Sequence, residues 1–520
     1  MRAHMSAQHP FVVRLAALPW LPAFLLAVAA GAVAALGFEP VGSIAGPVAG
    51  AALLLVLLAA QPRGRAFGLG LGFGFGQFLL GLTWIATAFT FQAAMPVWMG
   101  WVAVAGLSLF LALYPGLAAW LARRFADRLV PLTLLFAGAF TLGEIARGLL
   151  FSGFAWNPLG AGWLQLPGVA QLASLVGANG LSALAVLAGG SLAALLAARG
   201  ERGRLGLVLL FPLLLLIGLG VPKIQKPLAS PTETKALLVQ TGVGIADKHQ
   251  EGGLARNVEA ALARTRLALA SGLKPDLVIW PEATVEFPLE EMPDLRRELV
   301  AGFPAGAKLL TGGVAIWRDA GGTITAAANS AYLLDSTGEI LARYDKSHLV
   351  PGGEYLPLRA IAEPLGLARL VPGSLDFKPG DGPVTWRFPP LPAIAPNICY
   401  EIIFPAAIVN RADRPEMIVT ISNDAWFGPS GPPQHHAQAR LRAIEEGLPV
   451  LRATPTGITG LIDPRGGLVE TLPRGVAAHA VVAVPAPLPP TPFARLGLLS
   501  PALFALFLLA SGFFLNRRKT

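Results

Sequence analysis

Cys399 is the only cysteine in a chain of 520 residues, and it stands in the run PAIAPNICYEIIFP (392–405), where a near-continuous apolar strand is predicted to end. A thiol with a reference pKa of about 8.5 is mostly protonated at neutral pH, so it becomes a nucleophile only beside a base or a positive charge. Two further residues at predicted strand ends offer both. Glu282 in IWPEATVEF can take the thiol proton and later return it, provided an enclosed site raises its carboxyl pKa. Lys346 in YDKSHLVPGGEYLP can steady the oxyanion of a tetrahedral intermediate. Taken singly, each has a plainer explanation: a lone buried cysteine packs as a small hydrophobe, Glu282 could cap a loop, and Lys346 could be a solvated hairpin end. What favours chemistry is the conjunction, because all three fall in Pro- and Gly-flanked contexts at strand ends, where reactive groups of open α/β folds collect. A solitary thiol also excludes an intrachain disulfide and any multi-cysteine metal site.

The elements that must position these residues lie between about 224 and 490, a stretch richer in charge and Pro than its surroundings. KALLVQ (235–240), DLVIWPEA (276–283), KLLTGGVAIW (308–317), IAPNICYEI (394–402) and EMIVTISND (416–424) are short and almost continuously apolar, as strands covered on both faces are. Leu254, Val258, Leu262 and Leu269 recur at helical spacing between the first two. NSAYLLDSTGEILARYDK (329–346) reads as two strands joined by a Ser-Thr-Gly turn. The domain is predicted to be a layered α/β sandwich.

The rest of the chain is membrane-directed. Hydrophobic residues make up 54% and charged residues 14%, with a mean hydropathy of +0.59, outside the range of an ordinary soluble domain. The net charge of +9 is not gathered into a basic patch with interleaved aromatics, so nucleic acid is excluded as a partner. Apolar runs near 15–36, 42–60, 66–89, 98–122, 129–146, 168–198, 205–221 and 494–515 predict about eight transmembrane helices at roughly 20 residues per span. Alternate loops hold Arg2 and Arg14, Arg63 and Arg65, Arg123, Arg124 and Arg128, Arg199, Arg202 and Arg204, and finally Arg517, Arg518 and Lys519. The intervening loops are almost bare of cations. Basic loops stay cytoplasmic, which puts both termini inside and the α/β domain outside. The domain plan is therefore 1–223 with seven helices, 224–490 as the catalytic domain, and 491–520 as a last helix and tail.

The motifs WPEA, DKSHLVPGGEYLP, ICYEIIFP and SNDAWFGPSGPPQHHAQARLRAIEEGLPVLRATPTGITGLID (422–463), with the aromatics around Trp156, carry a resemblance. The sequence resembles the carbon-nitrogen hydrolase (nitrilase) superfamily, whose Glu, Lys and Cys come in this chain order on an αββα sandwich. With seven helices before the domain and one after it, the likeness narrows to the bacterial apolipoprotein N-acyltransferases and covers essentially the whole chain. It implies a polytopic α-helical membrane domain joined to an extracytoplasmic α/β nitrilase-like αββα sandwich. It further implies Glu282 as general base, Lys346 as oxyanion stabiliser and Cys399 as nucleophile, with Glu354, Tyr400 and Glu401 in support and Trp156 as a substrate contact. The implied partners are a phospholipid donor, typically phosphatidylethanolamine, and a diacylglyceryl-cysteine lipoprotein acceptor, met by a monomer in the bacterial inner membrane. No metal and no organic cofactor is implied. An alternative is a membrane-tethered amidase or nitrilase that hands its thioester to water; seven preceding helices are more than a tether needs. A transporter is a weaker reading, since few ionisable residues lie within the apolar runs.

Other features have bland readings. FGLGLGFGFG (67–76) sits inside an apolar run, where glycine permits close helix packing rather than phosphate binding. His435 and His436 are adjacent, lack the spacing of a helical zinc site, and are predicted to open a helix at the site's rim. Residues 354–373 carry a leucine-rich pattern that fits either a lipid-directed arm or an amphipathic surface helix. Glu144 and Arg147 can pair with one another. Relatives of this kind often read VQGN after the first strand with a Trp soon after, whereas this chain reads VQTGVGIADKHQ with Lys248 and His249.

Overall fold

The computed structural model describes residues 10–91, 95–197, 228, 230–248, 250–362, 364 and 375–517. They form two compact units, one from within 1–84, 101–227 and 490–520 and the other from within 85–100 and 228–489.

The first unit is helical. Among the described residues, Trp98–Phe125, Leu129–Leu149, Ala173–Leu196 and Leu499–Arg517 are long and apolar enough to cross a membrane, and Arg63–Gly81 and Trp84–Phe91, bent by 44° at a break, form either a broken span or a re-entrant loop. Trp20–Ala35 and Ala45–Ala60 are shorter apolar helices. The predicted run 205–221 lies outside the described residues. The glycine run serves packing: a Cβ on Gly76 would fall 1.9 Å from the Val28 carbonyl oxygen, and one on Gly31 1.8 Å from that of Phe73. Only bare backbone lets helices Trp20–Ala35 and Ala66–Gly81 approach so closely. At one end of the unit Asp127 pairs with both Arg63 and Arg123, while Arg128 donates to the Leu515 and Asn516 carbonyls. Cations from separate predicted basic loops thus share one end. Arg147 lies 4.0 Å from Glu144 and donates to the carbonyls of Phe154 (2.7 Å) and Trp156 (2.8 Å), tying down the loop after its helix.

The second unit is built on two sheets. The six-stranded sheet has the order β11-β1-β2-β3-β4-β5. Its strands are β1 (Pro231–Gln240), β2 (Leu277–Ile279), β3 (Lys308–Arg318), β4 (Ile324–Leu334), β5 (Ile340–Asp345) and β11 (Ala478–Pro485). The five-stranded sheet runs β10-β9-β8-β7-β6, from β6 (Ile394–Ile398), β7 (Met417–Ile421), β8 (Val450–Ala453), β9 (Gly460–Ile462) and β10 (Leu468–Thr471). The sheets meet through β1 with β8 and β4 with β6; helix Gly253–Ala270 covers β1 and β11, and helix Gly431–Glu446 covers β8 and β9. The αββα layering expected from the sequence is present. Parallel pairing joins β1, β2 and β3 in one sheet and β6, β7 and β8 in the other. β6 and β7 are buried at every position, which explains their unbroken apolar runs. On the first sheet Trp280 is fully buried among Leu237, Val258, Leu262 and Tyr332, and its indole N–H donates to Thr265 Oγ1 at 3.0 Å.

Residues 85–100 belong to this second unit although they precede it by more than a hundred positions. Phe91 meets Trp426 edge-on at 5.8 Å, and a Cβ on Gly428 (φ +54°) would lie 2.5 Å from Thr87 Oγ1. Of the leucine-rich segment 354–373, Arg359–Ala362 is helical; 363 and 365–373 lie outside the described residues.

Candidate active site

Three strand ends deliver the three candidate groups. β2 finishes at Ile279, and Trp280-Pro281 lead into Glu282 and then Ala283, which takes a left-handed backbone (φ +50°). That turn lies flat on β3 only because position 312 is glycine: a Cβ there would fall 2.4 Å from Ala283 N and 2.7 Å from Glu282 Cα. Lys248 props the same turn from outside, its Nζ donating to the Ala283 carbonyl at 2.7 Å while pairing with Glu286 at 2.5 Å. Asn257 Nδ2 adds bonds of 3.3 Å to the carbonyls of Ala283 and Thr284. Lys248 is therefore a strut for the Glu282 turn. Lys346 follows β5 directly, its N–H held by the Asn329 carbonyl at 2.8 Å. Cys399 follows β6 directly and is itself left-handed (φ +52°), opening the short 3-10 helix Cys399–Ile403. Non-glycine residues pay for this conformation, and it persists only where neighbours enforce it.

The three are brought together and buried: Glu282 is 7%, Lys346 1% and Cys399 5% exposed. Glu354 binds the Lys346 ammonium at 2.9 Å, and Glu282 Oε1 lies 3.7 Å from it. Asn329 Nδ2 donates at 2.8 Å to Glu282 Oε1 and at 2.8 Å to Glu354 Oε1, bridging the two carboxylates. Glu354 also accepts the Val350 N–H at 2.8 Å, and Glu282 Oε2 the Asn423 N–H at 2.6 Å. Burial pushes the Glu282 carboxyl pKa up; Lys346 opposes the rise and the Glu354 charge adds to it. Burial acts against the Lys346 ammonium, but the Glu354 and Glu282 carboxylates more than compensate and its pKa stands above the ordinary value. Burial, aided by the Glu282 charge and opposed by Lys346, pushes the Cys399 thiol up. The resting arrangement is thus a protonated thiol, a fixed ammonium and a carboxyl raised toward proton exchange, each within electrostatic reach of the others.

Glu401 ties the lysine and cysteine turns to one another. Its Oε1 accepts from Tyr344 O–H (2.6 Å), Ser347 N–H (2.7 Å), Ser347 Oγ–H (2.8 Å) and His348 N–H (3.2 Å), and its Oε2 accepts from Ile398 N–H at 2.7 Å. Tyr400 packs with its ring 5.8 Å from His348 and 5.1 Å from Phe404, and His348 stacks on Phe404 at 3.7 Å. Trp156 lies in the helical unit, fully buried, its ring 4.4 Å from that of Trp84.

His435 is not at the rim as predicted. It is fully buried in helix Gly431–Glu446 beneath the cysteine turn, with Nε2 3.0 Å from the Cys399 carbonyl oxygen. Asp424, just beyond β7, takes Ser422 Oγ–H at 2.7 Å and Arg452 Nη2–H at 2.6 and 2.7 Å, and lies 3.0 Å from His435 Nδ1. Burial disfavours the Asp424 carboxylate, yet Arg452 and His435 hold its pKa well below the usual range. Burial, with Arg452 beside it, lowers the pKa of His435. His436, also buried, is pushed by burial down to about 3, and neither ring nitrogen has a hydrogen-bond partner among the described residues. Sequence reasoning did not single out Asn329, Asn423, Asp424 or Arg452. For Asn423 and Asp424 the signal was their place at the carboxyl end of a parallel strand.

Comparison with known proteins adds to this geometry. Residues 30–191 match the family model for the apolipoprotein N-acyltransferase N-terminal domain, and residues 250–486 match that for carbon-nitrogen hydrolase. The chain is 37% identical to an apolipoprotein N-acyltransferase of Allorhizobium ampelinum over 461 residues, covering 86% of this chain and 87% of that protein. It is 36% identical to one of Caulobacter vibrioides over 477 residues, covering 89% and 88%. Among solved structures, an amidase from Nesterenkonia sp. aligns at 16% identity over 50% of this chain and 94% of that one, with a TM-score of 0.34.

Proposed function

The chain belongs to the apolipoprotein N-acyltransferase family, and from that premise we propose how its own residues carry the transfer of an acyl chain from phospholipid to lipoprotein. Glu282 takes the proton of the Cys399 thiol as sulfur attacks an ester carbonyl of the lipid, and the new oxyanion forms against the Lys346 ammonium. Collapse breaks the ester C–O bond. The leaving alkoxide takes the proton from Glu282, so a lysophospholipid departs and a Cys399 thioester remains. In the second half the α-amine of a diacylglyceryl-cysteine lipoprotein attacks the thioester carbonyl and yields its proton to Glu282. The C–S bond breaks, the thiolate recovers that proton, and the acceptor leaves as an amide. Glu354 and Asn329 hold the lysine and the base in register, and Glu401 holds the lysine and cysteine turns together.

The observation that carries this reading is the buried meeting of ammonium, carboxyl and thiol from three strand ends, with Lys346 paired to Glu354 at 2.9 Å and 3.7 Å from Glu282. The proposal extends to phosphatidylethanolamine as donor, a monomer, eight spans in the inner membrane with both termini cytoplasmic, and domains at 1–223, 224–490 and 491–520. Its α/β domain would lie on the periplasmic side. Trp156 would be a substrate contact.

The test is to incubate the purified protein in detergent with phosphatidylethanolamine and look for an acyl mass on the Cys399 peptide, then add a diacylglyceryl peptide and follow its N-acylation. Cys399→Ala should give neither product, and normal turnover by that variant would end the mechanism. An amidase-like enzyme would instead lose its acyl group to water at the same rate with or without the acceptor.

A further inference from the structure

Glu401 fixes the Ile398 N–H on the near side of Cys399; the peptide that follows, whose carbonyl belongs to Cys399, is held from elsewhere. The β6–β7 ladder ends at Ile398 opposite Ile421, so the next peptide leaves the sheet, and Cys399 turns to φ +52°. A left-handed non-glycine residue relaxes unless something fixes the peptides around it. Beneath this turn His435 Nε2 sits 3.0 Å from the Cys399 carbonyl oxygen. A carbonyl only accepts, so Nε2 carries the hydrogen. The other ring nitrogen is 3.0 Å from Arg452 Nη2 and 3.0 Å from Asp424 Oδ1. Burial and the adjacent guanidinium lower the pKa of the ring and the Asp424 carboxylate opposes them; Nδ1 is held between Arg452 and Asp424, and Arg452 is in turn anchored by both oxygens of Asp424. Every member is fully or almost fully buried, with His435 and Arg452 at 0% and Asp424 at 1% exposure. Orientation therefore passes from the β7 end and β8, through one imidazole, to the peptide of the nucleophile.

We propose that His435 is a positioning residue for Cys399: oriented by Arg452 and Asp424, its Nε2–H fixes the Cys399 carbonyl and so the left-handed turn that aims the sulfur between Glu282 and Lys346. The inference rests on Cys399 being the nucleophile. It assigns His435 of helix Gly431–Glu446 a part in acylation without contact with substrate.

The test compares His435→Gln, His435→Asn and His435→Met by single-turnover formation of the Cys399 thioester from phosphatidylethanolamine, with thermal unfolding measured in parallel. A glutamine amide can reach the position of Nε2, whereas an asparagine amide stops near Nδ1 and methionine donates nothing. His435→Gln should acylate within about threefold of the unsubstituted protein. His435→Asn and His435→Met should be slower by about 10- to 100-fold, as expected for a nucleophile displaced by up to 1 Å, with the half-saturating lipid concentration unchanged. Wild-type rates in His435→Asn or His435→Met overturn the inference, and so does an equal loss in all three. Should His435→Met fail to accumulate folded, the Gln–Asn contrast alone decides. If the unsubstituted protein forms no thioester on Cys399, the mechanism itself falls, an outcome distinct from either of these.

Discussion

Replacing Glu401 by glutamine keeps the side-chain shape and removes only charge and one acceptor. The carboxylate accepts three short bonds, from Tyr344 at 2.6 Å and from Ser347 N–H and Oγ–H at 2.7 and 2.8 Å, on one oxygen, and the Ile398 N–H at 2.7 Å on the other. A hydrogen bond to a charged group contributes about 1.5–3 kcal/mol and one between neutral groups about 0.5–1.5. If the amide oxygen faces the lysine turn, each of those three bonds weakens by about 1 kcal/mol. The amide nitrogen then confronts the Ile398 N–H, donor against donor, and an unsatisfied buried donor costs about 1–3 kcal/mol. A total of about 4–6 kcal/mol is large against a stability of roughly 5–15 kcal/mol, so the cysteine turn should relax away from the lysine turn. Because a shift near 1 Å costs about 100-fold in rate, Glu401→Gln should slow single-turnover thioester formation by about that factor and lower the unfolding temperature. Mass spectrometry of the Cys399 peptide at timed intervals reads the rate. Thioester formation within twofold of the unsubstituted rate, in folded protein, would refute the idea that Glu401 holds the two turns in register.

Glu282→Gln should block thioester formation, since the amide cannot take the thiol proton. In the unsubstituted protein burial raises the Glu282 pKa, so the base form fills as pH rises through a range above that of an exposed glutamate. Activity should therefore fall on acidification earlier than an ordinary carboxyl would dictate, and a pH–rate profile of the acylation step checks this. Gly312→Ala would drive a Cβ to 2.4 Å from Ala283 N and should abolish acylation while Cys399 remains present for alkylation under denaturing conditions. Gly428→Ala combines a left-handed backbone with a clash against Thr87 Oγ1 at 2.5 Å; it should lower the unfolding temperature, and Thr87→Ala in the same chain should recover part of the loss.

The candidate groups Glu282 and Cys399 were legible because each follows an apolar strand, Lys346 because it ends a hairpin marked by a Ser-Thr-Gly turn, and the helix Gly253–Ala270 because Leu254, Val258, Leu262 and Leu269 mark one face. β8 was not, because Arg452 interrupts its apolar run, and β10 was not, because it is mostly exposed and lacks the unbroken apolar run of a covered strand. Asn329 reads in sequence only as a polar residue inside a strand; its meaning comes from carboxylates 47 and 25 positions away. His435 was misplaced for the same reason, as its partner Cys399 is 36 positions distant. The run 66–89 is apolar throughout, so hydropathy gave no sign of the 44° bend between Arg63–Gly81 and Trp84–Phe91.

The allegiance of residues 85–100 bears on how this enzyme can be handled. The loop they cover, from Asn423 to Gly428, donates the Asn423 N–H to Glu282 and supplies Asp424 to the network under Cys399. A water-soluble fragment cut at 228 and 489 would emerge with the Trp426 ring uncovered on its Phe91 side and the space before Gly428 open. Expression of the hydrolase portion alone is therefore not a neutral excision, and a working minimal version must graft the 85–100 segment back onto it, either by a linker or by co-expression in trans.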